Sequence, residues 1–257
     1  MTTLLAAIAA LSGLAFGSFI HVVARRVPAK LSVVAPGSRC PLCEAPVRPR
    51  DNIPVLSYLI LRGRCRDCGR PIGWRYPAAE IATAGLFAAT VVVIGTRWVL
   101  PAFLWFAGVT MALMITDLDH KLIPNRILFP GTAIATALLV AGSLLDGEPG
   151  MLLTAIAGAV AFFAILLALA LVARGGFGYG DVKLGFLLGM FLGYERFSFV
   201  LAALLIAFFA GGIVSLLLVV TRLRSRKDAI PFGPYLILAT YVVLARGPQL
   251  IDWYLNR

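Results

Sequence analysis

Apolar runs long enough to cross a lipid bilayer follow one another along almost the whole of this 257-residue chain. A bilayer core is about 30 Å thick and takes about 20 apolar residues as a helix. Eight candidate segments emerge, at residues 4–24, 77–95, 98–116, 127–145, 151–173, 182–194, 198–221 and 231–245. The sixth is short, and the eighth contains Pro231, Gly233 and Pro234. Inside lipid the backbone must hydrogen-bond within its own segment. The chain is therefore expected to be an all-α polytopic membrane protein with about eight transmembrane helices. Composition agrees, since only 14% of residues are charged, against about 25% in soluble domains. No room is left for a large soluble domain.

The net charge of +11 could signal a nucleic-acid partner, but its placement argues for topology. Eleven of the 23 Lys and Arg residues lie between Arg25 and Arg75. With the N-terminus outside, the inner loops are 25–76, 117–126, 174–181 and 222–230. Counting Lys183 at the boundary, they hold 11, 2, 2 and 4 basic residues, 19 of the 23. Basic residues concentrate on the cytoplasmic side, so both termini are expected outside. Dropping the sixth crossing would move the run "RLRSRK" outward, so it is kept. The expected parts are a first transmembrane helix (1–24), a cytosolic loop (25–76) and a seven-helix membrane core (77–257). The partner implied is the lipid bilayer, not nucleic acid. The first run does not read as a cleaved signal peptide, because "MTT" carries no positive side chain and "RR" follows the run. No internal repeat or low-complexity tract stands out.

All four cysteines lie in the cytosolic loop, as Cys40-x-x-Cys43 and Cys65-x-x-Cys68 with 21 residues between the pairs. Disulfides are rare in the cytosol, and this spacing is close to that of a four-cysteine zinc ribbon. The flanking arginines would offset the extra negative charge of four thiolates around one divalent ion. A loop of about 50 residues has too little core to fold alone without such a staple. The expected zinc is structural, with no open position for catalysis.

Twelve acidic residues are few enough to take singly. Glu44, Asp51 and Asp67 fall in the cysteine loop, Asp146 and Glu148 in an outer loop, and Glu195, Asp228 and Asp252 in short connections. All of these read as solvated loop charges. Glu80, the pair in "TDLDHKLIPN" and Asp181 instead lie within or beside apolar segments on the inner face. Ionisable groups there are costly and are functional candidates by default. Asp117 follows "FLWFAGVTMALMIT" at the inner end of the third segment, with Asp119 and His120 further out. Asp181 opens the sixth segment after the break "GGFGYG". Two carboxylates from different helices can thus meet at the cytosolic membrane edge and share one proton. That arrangement suits an aspartyl protease. Glycine lets the backbone approach an extended substrate, which gives Gly178 and Gly180 a role; Lys183 and Glu80 are expected to support the pair or its substrate. The competing reading makes the glycines a flexible loop and Asp181 a helix N-cap. A transporter using Glu80, Asp117 and Asp181 as a cation path is the alternative from another class. Two histidines and no G-x-S-x-G leave little basis for serine chemistry.

These residues also resemble a known family, the type IV prepilin peptidases, which are bifunctional leader peptidases and N-methyltransferases. The likeness runs nearly end to end, through "GSFIHVVARRVP", "CPLC…DNIPVLSYLILRGRCRDCGRPIGWRYPAAE", "DLDHKLIPN", "GYGDVKLG" and "IPFGPYL", in order. The G-x-G-D element alone would be less specific, because presenilin-like proteases share it; they lack the cysteine loop. The resemblance implies Asp117 and Asp181 as the catalytic pair, Asn125 pointing back to Asp117 and not to Asp119. It implies the four cysteines as zinc ligands and S-adenosylmethionine as methyl donor. Its substrates would be type IV prepilins or pseudopilins, cut at the cytosolic face of the inner membrane. One departure is His21, where the family usually carries asparagine; His21 is not expected to be a catalytic base. A peptidase without methylation is the nearer alternative.

Overall fold

The computed structural model describes residues 1–172, 178–223 and 231–255. Gly175 and Gly176 of the glycine-rich break and the charged run at 224–228 lie outside the described residues. Within them the chain forms nine α-helices: α1 (Thr2–Arg26), α2 (Leu56–Ile60), α3 (Arg75–Ile94), α4 (Leu100–His120), α5 (Asn125–Leu145), α6 (Met151–Val172), α7 (Tyr179–Glu195), α8 (Ser198–Val220) and α9 (Gly233–Leu255). No strand occurs among the described residues, only two isolated bridges in the cysteine loop. The protein is thus all-helical, as expected.

Six of these helices, α1, α3, α4, α5, α6 and α8, are long and apolar enough to cross a membrane. The sixth and eighth apolar segments form α7 and α9, which fall outside that set, α7 having only 17 residues. Local chemistry sets the helix ends. Asp146 accepts from the Trp98 and Val99 N–H groups (2.7 and 3.1 Å), bonding donors that the first turn of α4 leaves free. Pro101 follows in that first turn, where a missing N–H costs nothing. At the other end Lys121, in the left-handed region at φ 53°, stops α4 just after His120. Pro124 is the N-cap of α5.

Short α7 is the most enclosed element of the bundle, with residues buried on all sides from Asp181 to Tyr194. Gly185, Gly189 and Gly193 recur every fourth residue, the small-residue spacing that lets membrane helices approach closely. A Cβ on Gly189 would overlap the Gly158 carbonyl oxygen of α6, and one on Gly193 would come within 2.8 Å of the Gly158 Cα.

The bundle has two polar ends. At one, Arg75 of α3 pairs with Asp119 of α4 (2.7 Å). At the other, Arg97 pairs with Glu195 of α7 (2.7 Å). Asp146 and Glu195 are therefore bonded groups, not the solvated charges that their loop positions suggested, because helix ends and the half-buried Arg97 lie beside them.

The cysteine loop contains a repetition that sequence inspection passes over. The octapeptides "RCPLCEAP" (39–46) and "RCRDCGRP" (64–71) align residue for residue at Arg, both Cys and Pro. Each makes the same turn. Cys40 N–H bonds the Ala45 carbonyl and Cys65 N–H the Arg70 carbonyl, with Glu44 and Gly69 both at positive φ. Ion pairs cross between the halves: Arg48 with Asp67 (3.2 Å), and Arg66 with both oxygens of Asp51 (2.7 and 2.8 Å). The Arg66 guanidinium holds the Asp51 carboxyl below the usual carboxylate range. Asp51 and Asp67 are again paired where solvated charges were expected.

Candidate active site

Helix α4 ends in "MITDLDH", and its last buried residue is Asp117, 5% exposed. Helix α7 opens with Gly178 as N-cap, so Asp181 is the third helical residue and not the cap. Its side chain is 8% exposed. The competing reading of Asp181 as an N-cap therefore does not describe its position. The two carboxylates meet at the start of α9. A Cβ built on Gly233 would lie 2.7 Å from Asp117 Oδ2 and 3.4 Å from Asp181 Oδ1. Among the described residues, those same two oxygens, Asp117 Oδ2 and Asp181 Oδ1, are buried without a hydrogen-bond partner. Two carboxylate oxygens without a partner among the described residues thus border the gap left by one missing side chain, an arrangement open to acid–base chemistry, since buried polar groups are otherwise almost always paired.

The glycines of the break divide their roles. A Cβ on Gly178 would come 3.1 Å from Asp181 Oδ2, while one on Gly180 would come 3.1 Å from the Ile123 side chain. Gly178 thus abuts the carboxylate, and Gly180 lets α7 pack on the segment between α4 and α5. Lys183 is bonded to Asn125 Oδ1 (3.2 Å) and lies over the Phe129 ring (5.7 Å), tying α7 to α5. Glu80 joins a different part of the molecule. Its Oε2 accepts from the Val55 N–H (2.7 Å), which anchors the cysteine loop on α3.

Sequence reading missed Gly233. The signal was present in "IPFGPYL", but nothing local says that a glycine some 50 residues after Asp181 faces it. His21 is 6% exposed and stacks on Tyr76 at 4.4 Å. Its Nε2 donates to the Arg75 carbonyl (3.2 Å), and its Nδ1 has no partner among the described residues.

The four cysteine sulfurs all lie within 4.8 Å of one another, with Cys40 and Cys68 at 3.8 Å. Zinc–sulfur bonds of about 2.3 Å set tetrahedral sulfurs about 3.8 Å apart, so the cluster fits a metal of that kind. Backbone N–H groups of Cys43 and Leu42 turned toward the Cys40 sulfur hold its thiol down at about 6, ready to bind as thiolate.

Comparison with known proteins agrees with this geometry. Residues 11–94 match the family model of the bacterial peptidase A24 N-terminal domain. Residues 98–216 match that of the type IV leader peptidase family. The chain is 33% identical over 244 residues to a prepilin leader peptidase/N-methyltransferase of Bacillus subtilis, covering 95% of each protein. A protein of the same name from Aeromonas hydrophila is 34% identical, over 96% of this chain and 92% of its own length. One from Pseudomonas aeruginosa is 32% identical with the same coverage. No solved structure matches. With both family domains in order and such relatives along its whole length, the chain belongs to the type IV leader peptidase family.

Proposed function

We propose that this chain is an integral-membrane aspartyl endopeptidase that removes the basic leader of type IV prepilins and pseudopilins and then N-methylates the new N-terminal residue. Asp117 and Asp181 are the catalytic pair. The observation that carries this is their convergence, from two helices, on the gap at Gly233, each with one oxygen that has no partner among the described residues. Carboxylates placed so closely share a proton. The ionised member takes a proton from water as its oxygen attacks the scissile carbonyl carbon, and the protonated member gives its proton to the carbonyl oxygen. The tetrahedral adduct then collapses, the C–N bond breaks, and the nitrogen takes a proton back from the pair. Gly178 and Gly233 keep space for the substrate backbone. Gly180 and Lys183 fix the start of α7, and Glu80 fixes the loop.

The division into a first transmembrane helix (1–24), a loop domain (25–76) and a membrane core (77–257) belongs to the same reading, as do eight crossings of the inner membrane with both termini outside. The basic loop, the end of α4 and the start of α7 then face the cytosol, where a basic leader would arrive. Cys40, Cys43, Cys65 and Cys68 hold a structural zinc ion, four thiolates leaving it no open position. S-adenosylmethionine supplies the methyl group. The test is incubation of purified protein with a prepilin, with and without S-adenosylmethionine, read by mass spectrometry. Cleavage in both arms and a mass gain of one methyl group only with the donor is the expected result. Uncut prepilin in both arms would overturn the peptidase assignment.

A further inference from the structure

Helix α2 is built inside out. Leu56, Leu59 and Ile60 stand at i, i+3 and i+4 and so share one face. All three are exposed, the last two at 65% and 64%. The polar residue of the same helix is the buried one. Ser57 donates its hydroxyl to the Arg50 carbonyl and accepts from the Ile53 N–H (3.0 Å each). Water would select the opposite arrangement, and apolar side chains gathered on one exposed face mark a surface made for an apolar neighbour. Ile53, just before α2, and Trp74, at the N-cap of α3, are exposed as well.

Two contacts fix where α2 sits against α1 and α3, both long and apolar enough to cross a membrane. Glu80 stands five residues, about 7.5 Å, along α3 from Arg75. Its carboxylate accepts from the N–H of Val55, the N-cap of α2 (2.7 Å). Side chains tilt toward the start of their own helix, so this bond holds Val55 level with the first turns of α3. On α1, Ser18 and Phe19 border one cavity together with Asn52 and Pro54. Ser18 lies eight residues, about 12 Å, before the end of α1 at Arg26. The start of α2 is thus drawn in beside two membrane helices and does not stand beyond their ends. Charge lies on the same stretch of chain, since the exposed Arg62 and Arg64 follow α2 directly.

We propose that α2 is an interfacial anchor: Leu56, Leu59 and Ile60 lie in the lipid of the leaflet where α1 ends and α3 begins, with Arg62 and Arg64 on anionic headgroups. A helix lying in the interface buries its apolar face about 5–10 Å into the headgroup–acyl boundary, a depth that agrees with the Glu80 contact. Trp74 at the entry to α3 suits the same zone, where amphipathic rings gather. In the topology proposed above this is the cytoplasmic leaflet, whose anionic lipids attract basic segments. A second copy of the chain would also cover an apolar face, but the depth of α2 puts that face where lipid already is. The cysteine loop is thereby held to the bilayer in its middle as well as at both ends. Such an anchor serves the loop whether or not the chain cleaves or methylates.

The test places a reporter in the exposed face of the full-length protein by Leu59→Trp, with Leu56→Trp as an independent second position should the first fail to fold. Each variant is reconstituted in vesicles of phosphatidylcholine and phosphatidylglycerol in equal parts, with and without bromine on the acyl chains. The wild-type signal is subtracted to remove the four native tryptophans. The added emission should be blue-shifted, and chain bromine should quench it by about half, as expected of an indole within the acyl boundary. Phosphatidylcholine alone should lessen the quenching, and Arg62→Gln with Arg64→Gln should erase that difference between lipids. Unquenched emission at the wavelength of an indole in water overturns the anchor. Blue-shifted emission that bromine leaves unquenched overturns it too, and assigns the face to a second copy of the chain. Equal quenching in both lipids before the arginines are replaced overturns the headgroup contact.

Discussion

Gly233 has no side chain, yet its position controls how closely anything can approach two carboxylates. Replacing it by alanine would drive a methyl group to 2.7 Å from Asp117 Oδ2, so the carboxylate or the start of α9 must shift. A displacement of about 1 Å at a reacting group can cost on the order of a hundredfold in rate. Gly233→Ala is therefore expected to cut prepilin cleavage by about that factor in a single-turnover assay; an unchanged rate would mean that the gap is not used. Asp117→Asn and Asp181→Asn remove the proton acceptor or donor while keeping shape. Each alone should abolish cleavage, and the double variant should be no worse than either, because members of one catalytic unit are not additive. Asp119→Asn should retain substantial turnover, since its carboxylate faces Arg75. The aspartates were legible in the sequence because charge in an apolar run is conspicuous. Gly233 was not, because its neighbour in space is set by how α9 returns to α4.

At the scale of elements, the two cysteine turns stand or fall together. Each brings two sulfurs to one point, and crossed ion pairs between the halves hold them face to face. Cys40→Ser with Cys43→Ser should release the metal, measured by elemental analysis, and lower cleavage indirectly through a loosened loop. A protein with no bound metal and full activity in the double variant would refute the structural role. The spacing of the cysteines announced this element, whereas the repeated octapeptide is disguised by differing intervening residues. Helix α7 shows another limit. Its glycine period is readable, but the meaning of that period depends on Gly158 of α6, so the sequence alone shows only a short apolar segment. Its short apolar run reflects enclosure by neighbouring helices, with residues buried on most sides from Asp181 to Tyr194.

Over the whole molecule, the proposed reading gives one small protein two reactions, with the aspartate pair serving only the first. Methylation of an already cleaved pilin should therefore survive in Asp117→Asn and Asp181→Asn, checked by transfer of labelled methyl; its loss in both would mean a single common site. The cavity of about 310 Å³ between the end of α1, the cysteine loop and the start of α3 was invisible in the sequence, because it is made by stretches that meet only in three dimensions. The bridge from His21 through Arg75 to Asp119 has a thermodynamic corollary. Interactions that join two sites must act in both directions with the same coupling free energy. If metal in the cysteine loop steadies the end of α4, then a peptide held between the aspartates must steady the metal. An uncleavable prepilin analogue is expected to slow zinc loss to a chelator by several-fold, and Arg75→Ala to erase that protection while each site still binds its own ligand.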